Sequence, residues 1–291
     1  MRILLLGKDG MLGHDLVKTF QKEELMMLGQ KDLDITDQEN LFDKLLTLQP
    51  EVIVNATGYT DVSRSEKEPD KANEVNGYAV GFLAKAARDI RATLVHFSTD
   101  YVFDGNRPQG YIEDYVPNPI NAYGRSKELG EKLLIEEMEL QHSPQQKEGS
   151  YFLLRTSWLF GSNGKNFVNT MLQKGQEFLY AGKKAKPLKV VNDQHGKPTY
   201  TLDLAQQVYW LLKTREYPAG IYHVTNEEET SWYDFAKTIF EKANMEVEVI
   251  PCSSTDYPSP AKRPHFSGLI NTKLPPLRPW KEALAAYLRE L

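Results

Sequence analysis

A tyrosine followed four residues later by a lysine occurs four times in this sequence of 291 residues. The pairs are Tyr123/Lys127, Tyr180/Lys184, Tyr209/Lys213 and Tyr233/Lys237. On a helix, residues i and i+4 lie on the same side, so the lysine ammonium stands beside the phenol. A neighbouring positive charge lowers the phenol pKa from about 10 towards neutrality, so that the tyrosine can give and recover a proton at working pH. Such a pair suits proton transfer to a carbonyl oxygen.

The surroundings of Tyr123 and Lys127 distinguish this pair from the other three. It begins a long helical pattern that follows a strand ending in Ser98-Thr99-Asp100. The carboxyl ends of parallel strands are where open α/β sheets bind ligands. The Thr99 hydroxyl is predicted to polarise a ketone there, although it would equally well cap the turn into Asp100. We therefore predict Thr99, Tyr123 and Lys127 as the catalytic residues.

Three glycines follow the first apolar run and open the first helical pattern. Gly7, Gly10 and Gly13 permit a tight turn and a close approach of the backbone, and the helix N-terminus offers free N–H groups to a pyrophosphate. With Met11 and Leu12 between them, these residues predict a dinucleotide site. A purely structural turn is the alternative.

The end of the second predicted strand should select the cofactor. An acid there favours the ribose hydroxyl of NAD, and a basic residue tolerates the phosphate of NADP. Gln30 and Lys31 occupy this region and no carboxylate occurs before Asp32, so we expect NADPH, with NADH as the other possibility. Asp34, with Ile35 beside it, is predicted to contact the adenine or, alternatively, to cap the next turn.

Strand-length apolar runs alternate with helix-periodic stretches through the first half of the chain. Parallel strands joined by right-handed crossovers follow from this alternation, with both sheet faces covered. The sequence thus predicts an α/β fold, a Rossmann-type doubly wound parallel sheet with a smaller C-terminal substrate lobe. Residues 1–160 would form the NADP(H)-binding domain, with part of 189–215 packing back onto it, and 161–291 would be mainly the substrate lobe.

The same patterns predict the bounds of the elements. The predicted strands are 3–6, 25–28, 52–56, 94–98 and 151–156. The predicted helices are 11–21, 38–46, 73–89 and 121–139, and 141–149 is predicted as an exposed loop.

Composition excludes several classes of function. The formal net charge of −5 argues against nucleic-acid binding, which needs basic clusters to neutralise phosphates; the basic segment 183–189 contains Pro187 and is predicted as a solvated loop. Six scattered histidines and the single Cys252 predict no catalytic metal. The one cysteine, the absence of a secretory leader and the lack of a long apolar stretch predict a cytoplasmic protein without a membrane partner.

Seven blocks of sequence, in order and in register, resemble the dTDP-4-dehydrorhamnose reductases, a family of extended short-chain dehydrogenases. Together they are far more specific than any one alone, and they cover essentially the whole chain. They are residues 7–13, 55–60, 98–105, 123–127, 155–158, 191–199 and 263–264.

The resemblance implies reduction of the 4-keto group of dTDP-4-dehydro-L-rhamnose to dTDP-L-rhamnose, the last step in making this nucleotide sugar. Thr99 would hold the keto oxygen, Tyr123 would protonate it, and Lys127 would bind the nicotinamide ribose and tune Tyr123. The resemblance also implies cofactor contacts at Thr57, Gly58 and Tyr59 and sugar-nucleotide contacts at Asp100 and Trp158. Arg263 is predicted to bind the substrate diphosphate. Packing for Trp158 and an ordinary surface role for Arg263 are the alternatives.

Two other functions remain open from the sequence. Proteins resembling this family also serve as non-catalytic, cofactor-binding regulatory subunits of methionine adenosyltransferase. Nucleotide-sugar epimerases and dehydratases are the second alternative, but dehydratases commonly carry Thr-Asp-Glu, and here Tyr101 follows Asp100. Some family members form magnesium-bridged dimers through a glutamate after the glycine turn; Asp15 occupies that position, so we expect a monomer or a homodimer without this bridge.

Overall fold

Six parallel strands form the central sheet of the protein. The structure, a computed structural model, describes residues 1–140 and 150–291; the loop predicted at 141–149 lies outside them. Its strands are β1 (Arg2–Leu6), β2 (Glu24–Leu28), β3 (Val52–Asn55), β4 (Thr93–Thr99), β5 (Tyr151–Thr156) and β10 (Gly220–His223). Across the sheet they have the order β10-β5-β4-β3-β1-β2. The parallel doubly wound fold predicted from the sequence is confirmed.

Helices cover both faces of this sheet, which explains why its central strands are apolar on both sides. One core combines Leu12 and Leu16 with Leu204 and Val208 from a later helix. The other face is covered by three helices with buried apolar side chains. The helices are α1 (Met11–Thr19), α2 (Gln38–Leu48), α3 (Val62–Ser65), α4 (Pro69–Asn73), α5 (Ala79–Asp89), α6 (Ala122–Glu139), α7 (Phe167–Ala181), α8 (Thr201–Thr214), α9 (Trp232–Lys242) and α10 (Trp280–Leu288). The first core lies between the sheet, α1 and α8, and the second between the sheet, α2, α5 and α6.

The direction in which strands are added reverses between β1 and β3. From β1 the chain crosses to β2 on one side, and β3, β4 and β5 follow on the other. Crevices at such reversal points, outside the carboxyl ends of the strands, are the usual ligand sites of open α/β sheets. The loops after β1, β3 and β4 therefore converge at one edge of the sheet.

The prediction of a single helix over residues 73–89 is wrong in detail. The chain instead forms α4, a π-helical turn at Glu74–Tyr78, and α5. A π turn widens the helix locally, and α6 approaches this segment closely: a Cβ on Gly77 would lie 2.5 Å from the side chain of Leu129, and one on Gly81 would lie 3.1 Å from Leu133. Helical periodicity alone does not reveal such a widened turn.

The remaining elements form a second core beside the sheet. Its short strands are β6 (Leu159–Phe160), β7 (Leu188–Val191), β8 (His195–Gly196), β9 (Thr199–Tyr200), β11 (Thr230–Ser231) and β12 (Val249–Cys252), paired as β6-β9, β7-β12 and β8-β11. Phe160, Phe235 and Trp280 lie at its centre. The chain returns from this region to the main sheet through β10, and the division at residue 160 stays a prediction. No helix in the described part of the chain is both long and apolar enough to cross a bilayer.

Candidate functional site

The end of β4 places Thr99 and Asp100 at the carboxyl edge of the sheet. Thr99 Oγ1 accepts a hydrogen bond from the Tyr101 amide at 3.2 Å and donates to Asp100 Oδ1 at 3.0 Å. It thus caps the 3₁₀ turn Asp100–Val102, the structural role considered from the sequence. The hydroxyl and the carboxyl are both buried, 6% and 2% exposed by residue.

Helix α6 brings Tyr123 and Lys127 to the same edge. Asn121 begins the helix as its N-cap, accepting a hydrogen bond from the Gly124 amide at 2.7 Å. One turn later, Lys127 is 4% exposed and its Nζ donates to the backbone carbonyl of Phe97 at 3.0 Å. The Tyr123 ring packs edge-on against Tyr101 with centroids 5.9 Å apart. Residues from β4 and α6 therefore converge as the sequence predicts.

The pKa values of this pair differ from the sequence-based expectation. Burial raises the pKa of the Tyr123 phenol, while its hydrogen bond with Thr99 acts in the opposite direction. Burial lowers the pKa of the Lys127 ammonium to about 8, and the charge of Glu131 opposes that change. The expectation that Lys127 brings the Tyr123 pKa towards neutrality is thus wrong here, because desolvation of the phenolate dominates. A raised pKa keeps Tyr123 protonated at neutral pH, the state required of a proton donor.

Asp100 is a further titratable group buried at this edge. Burial raises the pKa of its carboxyl to about 7, and the neighbouring Ser267 and Thr99 hydroxyls act in the opposite direction. Within the described part of the chain, its buried Oδ2 has no hydrogen-bond partner. A carboxyl that keeps one oxygen free in a buried position is suited to a polar ligand.

We expect Asp100→Asn to stabilise the protein more at high pH than at low pH. Because the folded-state pKa is raised, the folded protein holds this proton more tightly than the unfolded chain, and stability is lost as the pH rises from about 4 to about 7. Asparagine does not titrate, so the variant does not lose this stability. Its free energy of unfolding, relative to that of the wild type, should therefore rise by about 3 kcal/mol between pH 5 and pH 8. Urea unfolding at both pH values measures it. The exposed Asp43→Asn is the control, and an equal difference at both pH values would contradict the assignment.

The glycine turn lies directly beside the end of β3. Gly7 has φ +87°, and a Cβ there would lie 2.8 Å from the Ala56 carbonyl group; a Cβ on Gly13 would lie 2.1 Å from the Gly7 carbonyl oxygen. Only glycine tolerates these approaches. No side chain caps the N-terminus of α1, where Gly10 is the N-cap, so its amides are free to meet a pyrophosphate.

The segment after β3 joins this turn to the catalytic candidates. A Cβ on Gly58 would lie 3.3 Å from Lys127 Nζ and equally close to Asn76 Oδ1. Thr57 Oγ1 donates to Asn55 Oδ1 at 2.6 Å, and the Tyr59 amide donates to Asn76 Oδ1 at 2.8 Å. Thr57, Gly58 and Tyr59 therefore stand between the glycine turn and Lys127.

The residues predicted after β2 are less closely grouped. Gln30 and Lys31 are exposed. Asp34 Oδ1 accepts hydrogen bonds from the Thr36 amide at 3.0 Å and its hydroxyl at 2.7 Å, the turn-capping role. Ile35 is 6% exposed and belongs to the core between the sheet, α2, α5 and α6. The side chain of Met11 contacts Asn166, whose Nδ2 lies 3.7 Å from its sulfur.

A cavity of about 1140 Å³ is lined by residues of the second core and of the segments 104–120 and 254–265. Arg263 lines it and donates from Nη1 to the Tyr101 hydroxyl at 3.2 Å. Trp232 lines it too, and Trp158 stacks on Trp232 with ring centroids 3.5 Å apart. Trp158 has φ +48°, a strained conformation for a bulky residue, and such strain is often found at functional sites.

Comparison with known proteins agrees with this geometry. The family model described as RmlD substrate binding domain matches residues 1–291. The chain belongs to this family. It is 37% identical to the spore coat polysaccharide biosynthesis protein SpsK of Bacillus subtilis, over 99% of this chain and 97% of that protein. It is 39% identical to the dTDP-4-dehydrorhamnose reductase of Aggregatibacter actinomycetemcomitans, over 94% and 92%.

A solved family structure has the same fold. The dTDP-4-dehydrorhamnose reductase of Bacillus anthracis, solved in complex with NADP, superposes with a TM-score of 0.90 at 36% identity, covering 100% of this chain and 99% of that one. The two chains therefore share one fold over almost their whole matched lengths.

Sequence reasoning missed the buried polar residues that support the site. Asn76, 1% exposed, donates from Nδ2 to the Tyr59 carbonyl at 2.9 Å and to Ser126 Oγ at 3.0 Å, tying the segment after β3 to α6. Arg155 and Glu131, 1% and 2% exposed, form an ion pair of 2.7 Å beneath Lys127. An arginine inside an apolar strand was the available signal, because a buried charge requires a partner.

Proposed function

We propose that this protein reduces the 4-keto group of dTDP-4-dehydro-L-rhamnose to dTDP-L-rhamnose with NADPH, the last step in making this nucleotide sugar. The observation that carries the proposal is the convergence of Thr99, Tyr123 and Lys127 beside the glycine turn, in a chain that matches the reductase family from end to end. The cavity of about 1140 Å³, whose lining residue Arg263 donates to the Tyr101 hydroxyl, offers room for a nucleotide sugar.

The residues at the end of β4 and on α6 would perform the proton chemistry. When bound, NADPH supplies hydride to the carbonyl carbon. Thr99 would hold the keto oxygen through its hydroxyl. Tyr123, whose phenol is protonated at neutral pH, would give its proton to that oxygen as negative charge develops. Lys127 would bind the nicotinamide ribose and favour recovery of the Tyr123 proton after turnover.

The cofactor and the nucleotide sugar would bind to two different sets of residues at this edge of the sheet. The glycine turn and the free amides of α1 fit a pyrophosphate, and residues 57–59 would lie against the nicotinamide half of the cofactor. Asp100 and Trp158 would contact the sugar, with Arg263 at the diphosphate. The cofactor contacts proposed are Gly7, Gly10, Met11, Leu12, Gly13, Gln30, Lys31, Asp34, Ile35, Thr57, Gly58, Tyr59, Tyr123 and Lys127.

We further propose that the protein acts in the cytoplasm, as a monomer or a homodimer. Its single cysteine suits a reducing compartment. Asp15, at the position where some family members bridge a dimer through metal, is 1% exposed, and its carboxylate accepts a hydrogen bond from Thr201 at 2.5 Å. Because this carboxylate is buried and already hydrogen-bonded, it supports a monomer or a homodimer without a metal bridge at Asp15.

The direct test follows nicotinamide absorbance while the purified protein meets dTDP-4-dehydro-L-rhamnose, generated from dTDP-glucose by a dehydratase and an epimerase. We expect substrate-dependent oxidation of NADPH, with dTDP-L-rhamnose as the product. Binding of NADPH without oxidation would overturn the reductase proposal and favour the regulatory-subunit function. Oxidation with only a different keto sugar would keep the reaction and change the substrate.

We expect NADPH to give a higher kcat/KM than NADH in this assay. The reason is that no carboxylate directly follows β2 at Gln30 and Lys31, so less repulsion opposes a 2′-phosphate. Initial rates over a range of each cofactor, at one fixed concentration of keto sugar, measure the ratio. An equal or reversed ratio would show that this strand end was misinterpreted.

A further inference from the structure

His96 is a buried histidine on β4 to which the proposed function assigns no role. It is 1% exposed and lies opposite Asn55, the last residue of β3, which is 0% exposed. Asn55 Nδ2 and His96 Nδ1 are 3.1 Å apart. On its other side, Asn55 Oδ1 accepts hydrogen bonds from the Thr57 amide at 3.1 Å and from the Thr57 hydroxyl at 2.6 Å. A hydrogen-bonded chain therefore runs from His96 through Asn55 to Thr57.

The donors in this chain determine which ring nitrogen of His96 carries the proton. The backbone amide of Thr57 can only donate, so the Asn55 atom that it meets is the oxygen, and the Asn55 nitrogen faces His96. That nitrogen donates, so His96 Nδ1 accepts and the ring proton lies on Nε2. Burial lowers the pKa of His96 well below 6.5, and the charge of Lys127 acts in the same direction. The ring is therefore neutral, the state in which Nδ1 can accept.

Packing alone does not require a histidine at this position. Within residues 1–140 and 150–291, the buried Nε2 of His96 has no hydrogen-bond partner, and a buried N–H without a partner is destabilising. Its neighbours on the same face of the sheet, Leu94 and Leu153, belong to an apolar core. An apolar side chain would avoid the unpaired N–H, but it would also remove the acceptor that Nδ1 offers to Asn55.

The chain of hydrogen bonds ends on the segment between the glycine turn and Lys127. A Cβ on Gly7 would lie 3.0 Å from the Thr57 amide nitrogen, and a Cβ on Gly58 would lie 3.3 Å from Lys127 Nζ. This segment therefore approaches the proposed pyrophosphate site on one side and Lys127 on the other. A shift of Thr57 would change the spacing between them, and the proposed cofactor contacts both.

We propose that His96 is a positioning residue for the nicotinamide cofactor: its Nδ1 holds the Asn55 amide, which fixes Thr57 and Gly58 against the nicotinamide half. This inference rests on the proposed use of a nicotinamide dinucleotide. His96 acts through Asn55, so it needs no contact with the cofactor. Without the acceptor, the Asn55 amide is free to turn and Thr57 is released. The cofactor must then order this segment as it binds, which lowers its affinity.

The experiment measures the Kd of the whole protein for NADPH and for 2′,5′-ADP by calorimetry. The fragment 2′,5′-ADP contains the adenosine half of NADPH and lacks the nicotinamide. For His96→Leu we expect the NADPH Kd to rise by about tenfold, the equivalent of one lost hydrogen bond, and the 2′,5′-ADP Kd to change by less than about twofold.

Steady-state kinetics provide a second readout of the same variant. Thr99, Tyr123 and Lys127 remain in His96→Leu, so the KM for NADPH should rise while kcat at saturating cofactor stays within about threefold of the wild type. A general disturbance of the catalytic residues would lower kcat instead.

Two further variants separate positioning from packing. His96→Asn keeps an acceptor, because its Oδ1 occupies the place of Nδ1, and it should restore most of the NADPH affinity. His223→Leu is the matched control. His223 is 0% exposed on β10, its Nδ1 lies 3.0 Å from the Ile270 carbonyl oxygen, and its buried Nε2 also lacks a partner within the described residues. This control should leave both Kd values unchanged.

Three results would overturn the inference. They are an NADPH Kd in His96→Leu within about twofold of the wild type, an equal loss of affinity for NADPH and 2′,5′-ADP, and an equal loss in His223→Leu. His96→Phe, which is closer to imidazole in shape and also lacks an acceptor, carries the same expectation if His96→Leu does not fold. A wild-type protein that binds no NADPH would overturn the proposed function and this inference with it. Failure to reduce the keto sugar is a separate result, because the binding comparison needs no turnover.

Discussion

Replacing Tyr123 by phenylalanine is expected to lower kcat for keto-sugar reduction by about 10²–10⁴-fold, the usual contribution of a positioned proton donor. The substitution removes only the hydroxyl, so the ring should keep its edge-on contact with Tyr101. We therefore expect the Kd for NADPH to change by less than about twofold. Steady-state kinetics with dTDP-4-dehydro-L-rhamnose and a fluorescence titration with NADPH separate these two quantities.

The sequence supplies its own control for this prediction. Tyr209 and Lys213 have the same spacing on α8, but both contact Glu23, at 2.8 and 2.6 Å, far along the chain from the catalytic candidates. Tyr209→Phe should leave kcat unchanged. If Tyr123→Phe turned over at the wild-type rate, Tyr123 could not be the proton donor; if both variants lost activity equally, the loss would be structural.

Replacing Arg155 by methionine should have the largest effect on stability. Arg155 Nε and Nη2 donate to the Glu131 carboxylate at 2.7 to 3.2 Å, and Nη1 donates to the Glu113 carbonyl at 3.1 Å. Without the guanidinium, the buried Glu131 carboxylate would lose its ion-pair partner and keep the hydrogen bond from the Ser98 hydroxyl. Breaking a buried pair in this way typically costs about 3–5 kcal/mol. Urea unfolding at neutral pH measures the change in the free energy of unfolding.

Two further variants test the cause of that loss. Adding Glu131→Gln to Arg155→Met removes the unpaired charge, so the double variant should recover part of the stability. Arg64→Met breaks an ion pair of 2.8 Å with Glu68 in which the arginine is 56% exposed, and it should cost less than about 1 kcal/mol. If Arg155→Met cost no more than Arg64→Met, the buried pair would not stabilise the fold.

Sequence periodicity predicted the strands and helices whose buried apolar residues recur at a regular spacing. β1 to β5, α1, α2 and α6 were predicted to within three residues at each end, because strands covered on both faces and amphipathic helices have local signatures. β10 was missed, since Gly220–His223 is short and its place beside β5 depends on a residue 68 positions earlier, with Gly220 opposite Phe152. The widened turn before α5 was also missed; it lies against α6, where Gly77 approaches Leu129.

In the candidate site, too, features that are local in the sequence could be predicted, and features that depend on the folded structure could not. Thr99, Tyr123, Lys127 and the glycine turn could be predicted as candidates because their residue types and their places at strand ends and helix starts are visible in the sequence. The stacking of Trp158 on Trp232 was not found, because it joins side chains 74 residues apart in the sequence. The raised pKa of Tyr123 was also missed, because burial is a property of the folded protein rather than of the Tyr-x-x-x-Lys pattern.

The late position of β10 in the chain has a consequence for synthesis on the ribosome. During translation, β1 to β5 emerge well before residues 220–223, so one edge of β5 has no neighbouring strand until most of the protein has been made. An unpaired strand edge is a template for intermolecular pairing, and partly folded chains with such edges aggregate readily. A nascent chain stalled shortly after β5 would therefore be a natural client for ribosome-associated chaperones, whereas one released after β10 would have that edge covered.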